Sequence, residues 1–438
     1  MKITLVAPAT DISRRRGRKP IGTPFFHYYK LGLATIVGAT PPDIEVEAID
    51  EFVDLWDPAT HATDVVAIST LTALAPRSYA IARIVRKRGL PVILGGMHPT
   101  FLPDEARQHA DAIVTWQGET VWSQVCRDLQ AGRLQPLYEG GECGTEISVP
   151  AARRDIFTNR RYPPLDMVQF SRGCIHRCRF CSVNAFFSGS YHRRPIAEVV
   201  AEFPTLRRKH LMVADDNLYA DRDYCLQVLR ALAPLRKYTG IQGTVDMAFD
   251  EEVLAAARDA KVSAVFVGLE SVVPESLTEA DKRHNNIERY TEAIENFHRH
   301  GIFVEGGLMF GFDHDTPDVF AATIEAARKM RLDVAQIAAV TPMPGTALFA
   351  RLEQEGRIID RDWEHYDCNH VVFRPARMTA QKLADGLAWC RRAFYSRRAI
   401  AARSLGNRRY FDFITWATQT ALNLGFRHNH RLGLDYPP

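Results

Sequence analysis

Cysteine is scarce in this chain, eight among 438 residues, too few and too unevenly spread for a disulfide framework. Long apolar runs are missing as well. No stretch approaches the ~20 residues needed to cross a bilayer, and the opening "MKITLVAPAT" is too brief in its apolar part for a signal-peptide core. Excess charge is also lacking: a formal net charge of +3 with 24% charged residues argues against gripping nucleic acid through bulk charge. With 46% hydrophobic residues, these absences leave a soluble, cytoplasmic chain long enough for roughly two or three domains.

What is present is concentrated. Three of the eight cysteines fall in "SRGCIHRCRFC", as Cys174, Cys178 and Cys181. Thiolates bind iron and zinc because sulfur is soft and a metal readily displaces its proton. A structural zinc site wants a fourth ligand, which His192 could supply, and usually two paired knuckles. Three unpaired thiolates suit instead a cubane iron–sulfur cluster with one iron left open to an outside ligand, with Arg172 and Arg177 offsetting its negative charge. Cys126, Cys143, Cys225, Cys368 and Cys390 are scattered and read as structural thiols, with Cys368 in "YDCNHVVF" the one exception worth testing.

The first segment alternates short apolar runs, "KITLVAP", "EVEAIDE", "VVAIST", "PVILGG" and "AIVTWQGE", with stretches of helical apolar spacing. This alternation predicts an α/β doubly wound parallel sheet over residues 1–140, with ligands expected beyond the carboxyl ends of its strands. Residues 141–164 lack periodicity and read as a linker. Strand–helix alternation resumes over 165–375, through "LDMVQFS", "HLMVAD", "IQGTVDMA", "SAVFVGLE", "IFVEGGLMFGF" and "VAQIAAV". Six such units fit a partial (β/α)6 barrel, with chemistry at the strand ends. The cysteine loop follows the first of these strands.

In that position Cys174, Cys178 and Cys181, with Phe180 before the last, resemble the cluster loop of the radical S-adenosylmethionine (SAM) superfamily. The resemblance implies a 4Fe–4S cluster held by the three cysteines, with SAM chelating the fourth iron. It also implies an external one-electron reductant of flavodoxin or ferredoxin type. One-electron reduction then cleaves SAM to a 5′-deoxyadenosyl radical that abstracts hydrogen from an unactivated carbon. By the same resemblance, Asp215, Asp216 and Asn217 of "VADDN" stand where the methionine ammonium finds its acceptors. Helix capping by Asp221, or a satisfied turn acid, is the structural alternative. Glu270 and Ser271 of "VGLES" resemble the ribose-binding position. Gly306 and Gly307 of "EGGLMFGF" resemble the strand lying against adenine, although glycines there equally suit a strand bend. "TPMPGTALF" matches as barrel-closing structure.

Ahead of such a barrel, "VILGGMHPTFLPDEA" and "WQGE" look like the cobalamin-binding branch of the superfamily. Together the two resemblances span about residues 1–375. They imply a corrin lying across the first sheet's strand ends, against Ser69, Thr70, Leu71 and Thr72, then Gly95, Gly96, His98, Pro99 and Thr100, then Gly118 and Glu119. Gly95-Gly96 taken alone reads as a simple turn. The D-x-H-x-x-G stretch that supplies a histidine to cobalt in the mutases is absent; after the first strand the chain reads "TDISRRRGRKPIGT". His98 is the remaining candidate ligand, set against the commoner fate of a histidine packed in a turn. The branch implies radical C-methylation of a small-molecule or lipid substrate. Ring closure, ring contraction, redox rearrangement and a cluster-bearing binding protein without turnover stay open.

Residues 376–438 carry 11 Lys/Arg against 3 Asp/Glu, a balance of +8 that leaves the rest of the chain at −5. This basic region reads as helical pieces broken near Gly406-Asn407. Phe413, Trp416, Ala417, Thr420, Ala421 and Leu424 share one helical face, flanked by Arg408, Arg409, Arg427 and Arg431. Such a stripe either caps the open side of the barrel or, through residues 405–431, makes a peripheral membrane contact.

Overall fold

Each strand of the first sheet is a short aliphatic run buried on both faces, as a parallel sheet covered by helices requires. The computed structural model describes residues 1–10, 27–141, 144–157 and 162–432. Two units emerge: Met1–Pro163 together with Asp362–Asp367, and Pro164–Arg361 together with Cys368–Asp435. In the first, strands β1 (Lys2–Ala7), β2 (Glu45–Asp50), β3 (Val65–Ser69), β4 (Val92–Gly95), β5 (Ala112–Thr115) and β6 (Leu137–Glu139) pair in the order β2-β1-β3-β4-β5-β6. All five pairings are parallel. Val6, Val66, Ile68 and Leu94 pack with Ile81 and Val85 of helix α1 (Ala75–Lys87).

The winding reverses between β1 and β3, the place where such sheets open a ligand crevice. The loops singled out at 69–72, 95–100 and 116–119 follow β3, β4 and β5, so all three share that carboxyl edge. Most of "TDISRRRGRKPIGT" and all of Cys143 lie outside the described residues. Residues 144–157, expected as linker, pack into the first unit: Ile147, Val149 and Phe157 are buried, and Arg153 N donates to Ala34 O at 3.0 Å. Gly38 permits this approach, since a Cβ there would lie 2.1 Å from Ala151 O. The apolar residues of that stretch follow neither helical nor strand period, which is why they carry no signal in the sequence.

The second unit contains β7 (Leu165–Val168), an antiparallel pair β8 (Ser171–Gly173) and β9 (Tyr191–Arg193), then β10 (His210–Val213), β11 (Tyr238–Gly243), β12 (Val262–Glu270), β13 (Phe303–Phe310) and β14 (Val334–Ala339). Six of them form a parallel sheet in the order β14-β13-β12-β11-β10-β7. Chain order and sheet order coincide, the signature of consecutive β/α units in a partial barrel. Helices α2 (Arg222–Leu232), α3 (Glu251–Asp259), α4 (Tyr290–Arg299) and α5 (Val319–Lys329) fill the crossovers. Asp221 and Asp250 cap α2 and α3 by accepting from Tyr224 N and Val253 N. The "VDMA" part of the third expected strand is instead a 3-10 turn, Val245–Phe249, because pairing with β12 stops at Gly243.

Beyond the barrel come α6 (Ala347–Gln354), α7 (Ala380–Phe394), α8 (Arg397–Asn407) and α9 (Phe413–Leu432). Side chains from α7 and the turn after it close the open edge of β14. Tyr395 Oη donates to Ala335 O at 2.7 Å and accepts from Ala335 N at 3.1 Å. Arg391 donates to Ile337 O at 2.8 Å. An edge strand thus has its free backbone groups satisfied.

Glycine is required at Gly96, whose φ of +106° and ψ of −172° fall in a region essentially reserved for it. A Cβ there would lie 2.7 Å from Thr70 O. Gly89 also has positive φ, but its Cβ position is open. Gly89→Ala is therefore expected to cost only left-handed strain, ~1–2 kcal/mol. Gly96→Ala adds a backbone clash and is expected to cost roughly 3 kcal/mol or more. Urea unfolding of the two variants checks this; equal losses would contradict the close approach of the β3 and β4 loops.

Candidate active site around the cysteine loop

The cysteine loop starts from a braced strand. Asp215, just past β10, accepts from Phe170 N at 2.8 Å and from Ser171 Oγ at 2.6 Å. Asp216 accepts from Gly173 N at 2.8 Å. Gly173 has φ +81°, and a Cβ there would lie 2.1 Å from Ser190 O, so the two strands of the β8–β9 pair meet through it. Asp215 is wholly buried, which pushes its carboxyl up to about 7 despite the Ser171 and backbone donors. It braces the strand through these bonds, as the satisfied-acid alternative expects. Asp216 is also raised, by burial first, against its bond to Gly173 and the nearby Arg172. Asn217 accepts from Tyr219 N at 3.2 Å and turns its Nδ2 toward Cys174 Sγ at 3.5 Å. Asp216 and Asn217 thus remain the residues of "VADDN" turned toward the loop.

The far end of the loop is held equally firmly. Arg179 N donates to Ala280 O at 3.1 Å, and Leu348 N donates to Arg179 O at 3.0 Å. The stretch expected to close the barrel therefore also pins the cysteine loop, with Thr346 capping α6 through Phe349 N. His176 stacks on His284, ring centroids 3.7 Å apart and 12° from parallel. Phe180 meets Phe312 edge-on at 6.3 Å.

The three thiols are close enough to act on one another electrostatically. Burial pushes Cys178 up to about 12, and the neighbouring sulfurs add to it. Burial also raises Cys181, partly offset by N–H groups of Asn184 and Val183. Such thiols stay protonated until a metal displaces the protons. Among the described residues no three His, Cys, Asp or Glu side chains gather tightly enough for a single ion. His192, the proposed fourth zinc ligand, packs against Phe187 at 5.7 Å. Three soft thiol donors match the three protein ligands of a cubane cluster whose fourth iron is left to an outside ligand.

Glu270 ends β12 with a strained φ of +62°. Its Oε1 lies 2.6 Å from Lys282 Nζ, and both side chains are buried. Lys282 escaped the sequence reading. Burial alone would lower its pKa, but Glu270 and the thiols of Cys178 and Cys181 outweigh that and raise it. A buried cation thus sits within electrostatic reach of the cluster ligands. Gly268 makes room for the pair, since a Cβ there would lie 2.3 Å from Glu270 Oε1 and 2.5 Å from Lys282 Nζ. Asn285, from the same loop as Lys282, donates to Gly268 O at 2.9 Å. Ser271 is buried and accepts from Val273 N at 3.0 Å, which holds the turn after β12. Gly306 faces Leu269 and Leu332 on the helix side. Gly307 faces Phe266 and Glu270, leaving it alone on the site side of the strand.

In the first unit the candidate residues divide by burial. Ser69 and Leu71 are exposed, and Gly95, Gly96, Gly118 and Glu119 are half-buried, at the strand ends. Thr70, Thr72, His98, Pro99 and Thr100 are buried. Thr70 Oγ1 donates to Ser78 Oγ at 3.0 Å, and Thr100 Oγ1 accepts from Trp116 N at 2.9 Å. His98 Nε2 meets Tyr79 Oη at 2.9 Å, its Nδ1 lies 3.4 Å from Thr72 Oγ1, and burial lowers its pKa against Glu105. Trp363 Nε1 donates to that same Glu105 at 3.0 Å. His98 is a packed, bonded histidine, the commoner of the two fates expected for it. Trp116, first residue of the expected 116–119 loop though not named singly, takes a left-handed φ of 57° and exposes its indole at the β5 end. Its signal was an aromatic directly after a strand of a ligand-binding sheet.

Comparison with known proteins is consistent with this geometry. Residues 168–327 match the family model described as the radical SAM superfamily. The chain is 28% identical over 353 residues to bacteriochlorophyllide d C-12(1)-methyltransferase of Chlorobaculum tepidum, covering 78% of this chain and 77% of that one. It is 26% identical over 437 residues to bacteriochlorophyllide d C-8(2)-methyltransferase of the same organism, covering 93% and 95%. Among solved structures it resembles the radical SAM methyltransferase TsrM of Kitasatospora setae, solved with cobalamin and a [4Fe–4S] cluster, with TM-score 0.69, 14% identity and coverage of 98% and 99%.

The two aspartates are expected to separate on mutation. Asp215→Ala leaves buried donors unmet and should lower stability by about 1–3 kcal/mol, read by thermal unfolding. Asp216→Ala leaves only the Gly173 N donor unmet and should cost less, about 1 kcal/mol; as a proposed ammonium acceptor it should also weaken SAM binding by roughly tenfold, read by equilibrium dialysis. Lys282→Met strands a buried carboxylate and should cost about 3–5 kcal/mol; a neutral outcome would show that Glu270 is not held by the pair.

Proposed function

We propose, from the match of residues 168–327 to the radical SAM family model, that the chain is a cobalamin-dependent radical SAM C-methyltransferase whose methyl acceptor is a hydrophobic, ring-bearing small molecule or lipid. The observation that carries this reading is a three-thiol loop, anchored at both ends, at the carboxyl end of the first strand of a parallel β/α sheet. The similarity to two methyltransferases over most of their length supports methyl transfer. Their substrates supply the hydrophobic class.

When bound, the cluster supplies the electron that cleaves SAM to a 5′-deoxyadenosyl radical, and cobalamin supplies the transferable methyl group. The chain's own residues do the holding. Cys174, Cys178 and Cys181 would hold the cluster through their thiolates. Asp216 and Asn217 accept from the methionine ammonium, while Lys282 offers a cation to its carboxylate. Glu270 and Gly307 stand for the ribose and adenine side. In the first unit Ser69, Leu71, Gly95, Gly96, Gly118 and Glu119, together with the Trp116 indole, offer the surface for a flat macrocycle. The glycines allow its close approach. The reducing electron comes from an external donor of flavodoxin or ferredoxin type.

Anaerobically reconstituted protein reduced with dithionite is expected to form 5′-deoxyadenosine. Replacing all three loop cysteines by alanine should abolish this while the fold persists; turnover at the wild-type rate would sink the reading. Methyl-deuterated SAM should pass its label to the product, whereas a cyclase or rearrangement leaves product unlabelled. His98→Ala is expected to leave the visible spectrum of bound cobalamin unchanged while lowering the melting temperature, since its ring bonds inside the protein. A changed cobalt spectrum would restore it as a ligand.

A further inference from the structure

The first half of helix α9 turns polar side chains inward and large apolar ones outward. Through its first three turns the buried row is polar, Thr415, Gln419 and Asn423, with Phe426 buried against Tyr395 further on, whereas Phe413 is 66% and Leu424 53% exposed. Residues four and eleven positions apart lie on one helical face, so Ala417 joins Phe413 and Leu424 on the outward side. The orientation is locked and not a matter of loose packing. Asn423 Nδ2 donates to Asp333 O at 3.0 Å, and its Oδ1 accepts from Arg403 at 2.7 Å. Trp416 Nε1 donates to Ser404 O at 2.9 Å. Rotating α9 to bury Phe413 would break all three bonds.

The neighbouring helix continues the pattern. On α8, Leu405 is 72% exposed, and the exposed Arg398 lies seven residues earlier on the same face. Arg397, Arg409 and Arg431 are exposed as well, within the region whose balance is +8. Among the described residues no helix is long and apolar enough to cross a membrane. Protruding apolar side chains among arginines, with a polar underside fixed to the protein, make a surface that lies on a bilayer and does not enter it deeply.

We propose that the outward face of α8 and α9, centred on Leu405, Phe413 and Leu424, docks this protein onto an anionic lipid surface. Charge complementarity selects the partner: phosphate headgroups match the arginines, and the acyl boundary matches the apolar side chains. The inference concerns the second unit alone and does not depend on the methyl-transfer reading, although a membrane address suits an apolar substrate.

The test is cosedimentation of the full-length reconstituted protein with vesicles of phosphatidylglycerol and phosphatidylcholine in equal parts, beside pure phosphatidylcholine vesicles. The wild type is expected on the mixed vesicles, weakly on the neutral ones, and less as salt rises. The double variant Phe413→Ser, Leu424→Ser should lose retention by at least ~10-fold with an unchanged melting curve and unchanged 5′-deoxyadenosine formation without vesicles. Arg397→Gln with Arg398→Gln should erase the preference for anionic vesicles. Absence of wild-type retention, equal retention on both compositions, or retention untouched by the double variant would each overturn the proposal. A wild-type dimer that becomes a monomer in the double variant would overturn it too, by assigning the face to a second copy of the chain.

Discussion

Two carboxylates at the end of one strand hold the start of the cysteine loop, and the geometry of the site depends on them. A short loop carrying three thiols orders its sulfurs only if both ends are fixed, because free ends would leave the ligands to diffuse apart. Asp215 and Asp216 fix one end through Phe170, Ser171 and Gly173. Ala280 and Leu348 fix the other through the backbone of Arg179. The first brace follows from topology. β10 lies beside β7, so residues just past β10 sit where the chain leaving β7 must turn.

The site accepts features that a structure selected for stability alone would avoid. Asp215 is a fully buried acid, Glu270 holds a left-handed backbone, and Lys282 is a buried cation. A buried ion pair adds little net stability over an apolar one, since desolvation offsets the attraction. Lys282 gains meaning beside thiols that become anionic on binding metal. There its charge lowers the cost of gathering negative sulfur ligands in a dry place. Arg172 and Arg177, the cations next to the cysteines in sequence, stay at least partly in solvent, so the nearer compensation comes from a loop a hundred residues on.

The parts of the fold that repeat were legible. Alternating apolar runs and helical spacing located five of the first sheet's six strands and all six of the barrel, and a turn-rich gap after each strand located the site's face. The residues that escaped do so for definite reasons. Asp215 and Asp216 are chemically alike, and only the pleat decides which one faces the strand and which the loop. Gly306 and Gly307 divide for the same reason. Lys282 lies twelve positions from Glu270 and is related to it only through the fold. His98 sits in a glycine-rich turn typical of ligand sites, yet Tyr79 and the distant Trp363 reach it along with Glu105, seven residues on.

Helix α9 shows where periodicity misleads. A stripe of Phe413, Ala417 and Leu424 conventionally faces a core, and that inference assumes the core side offers apolar partners. Here it offers the carbonyl of Asp333 and the guanidinium of Arg403, so the polar row turns inward to meet them. This arrangement is open to α9 because α7 and Tyr395 have already closed the β14 edge with side-chain hydrogen bonds. The last helix therefore needs no continuous apolar underside: it is held by Asn423 on Asp333 and by Phe426 and Arg427 on Tyr395. Its outward face is then free to be shaped by what lies outside the protein, and the apolar and cationic residues found there follow from that freedom.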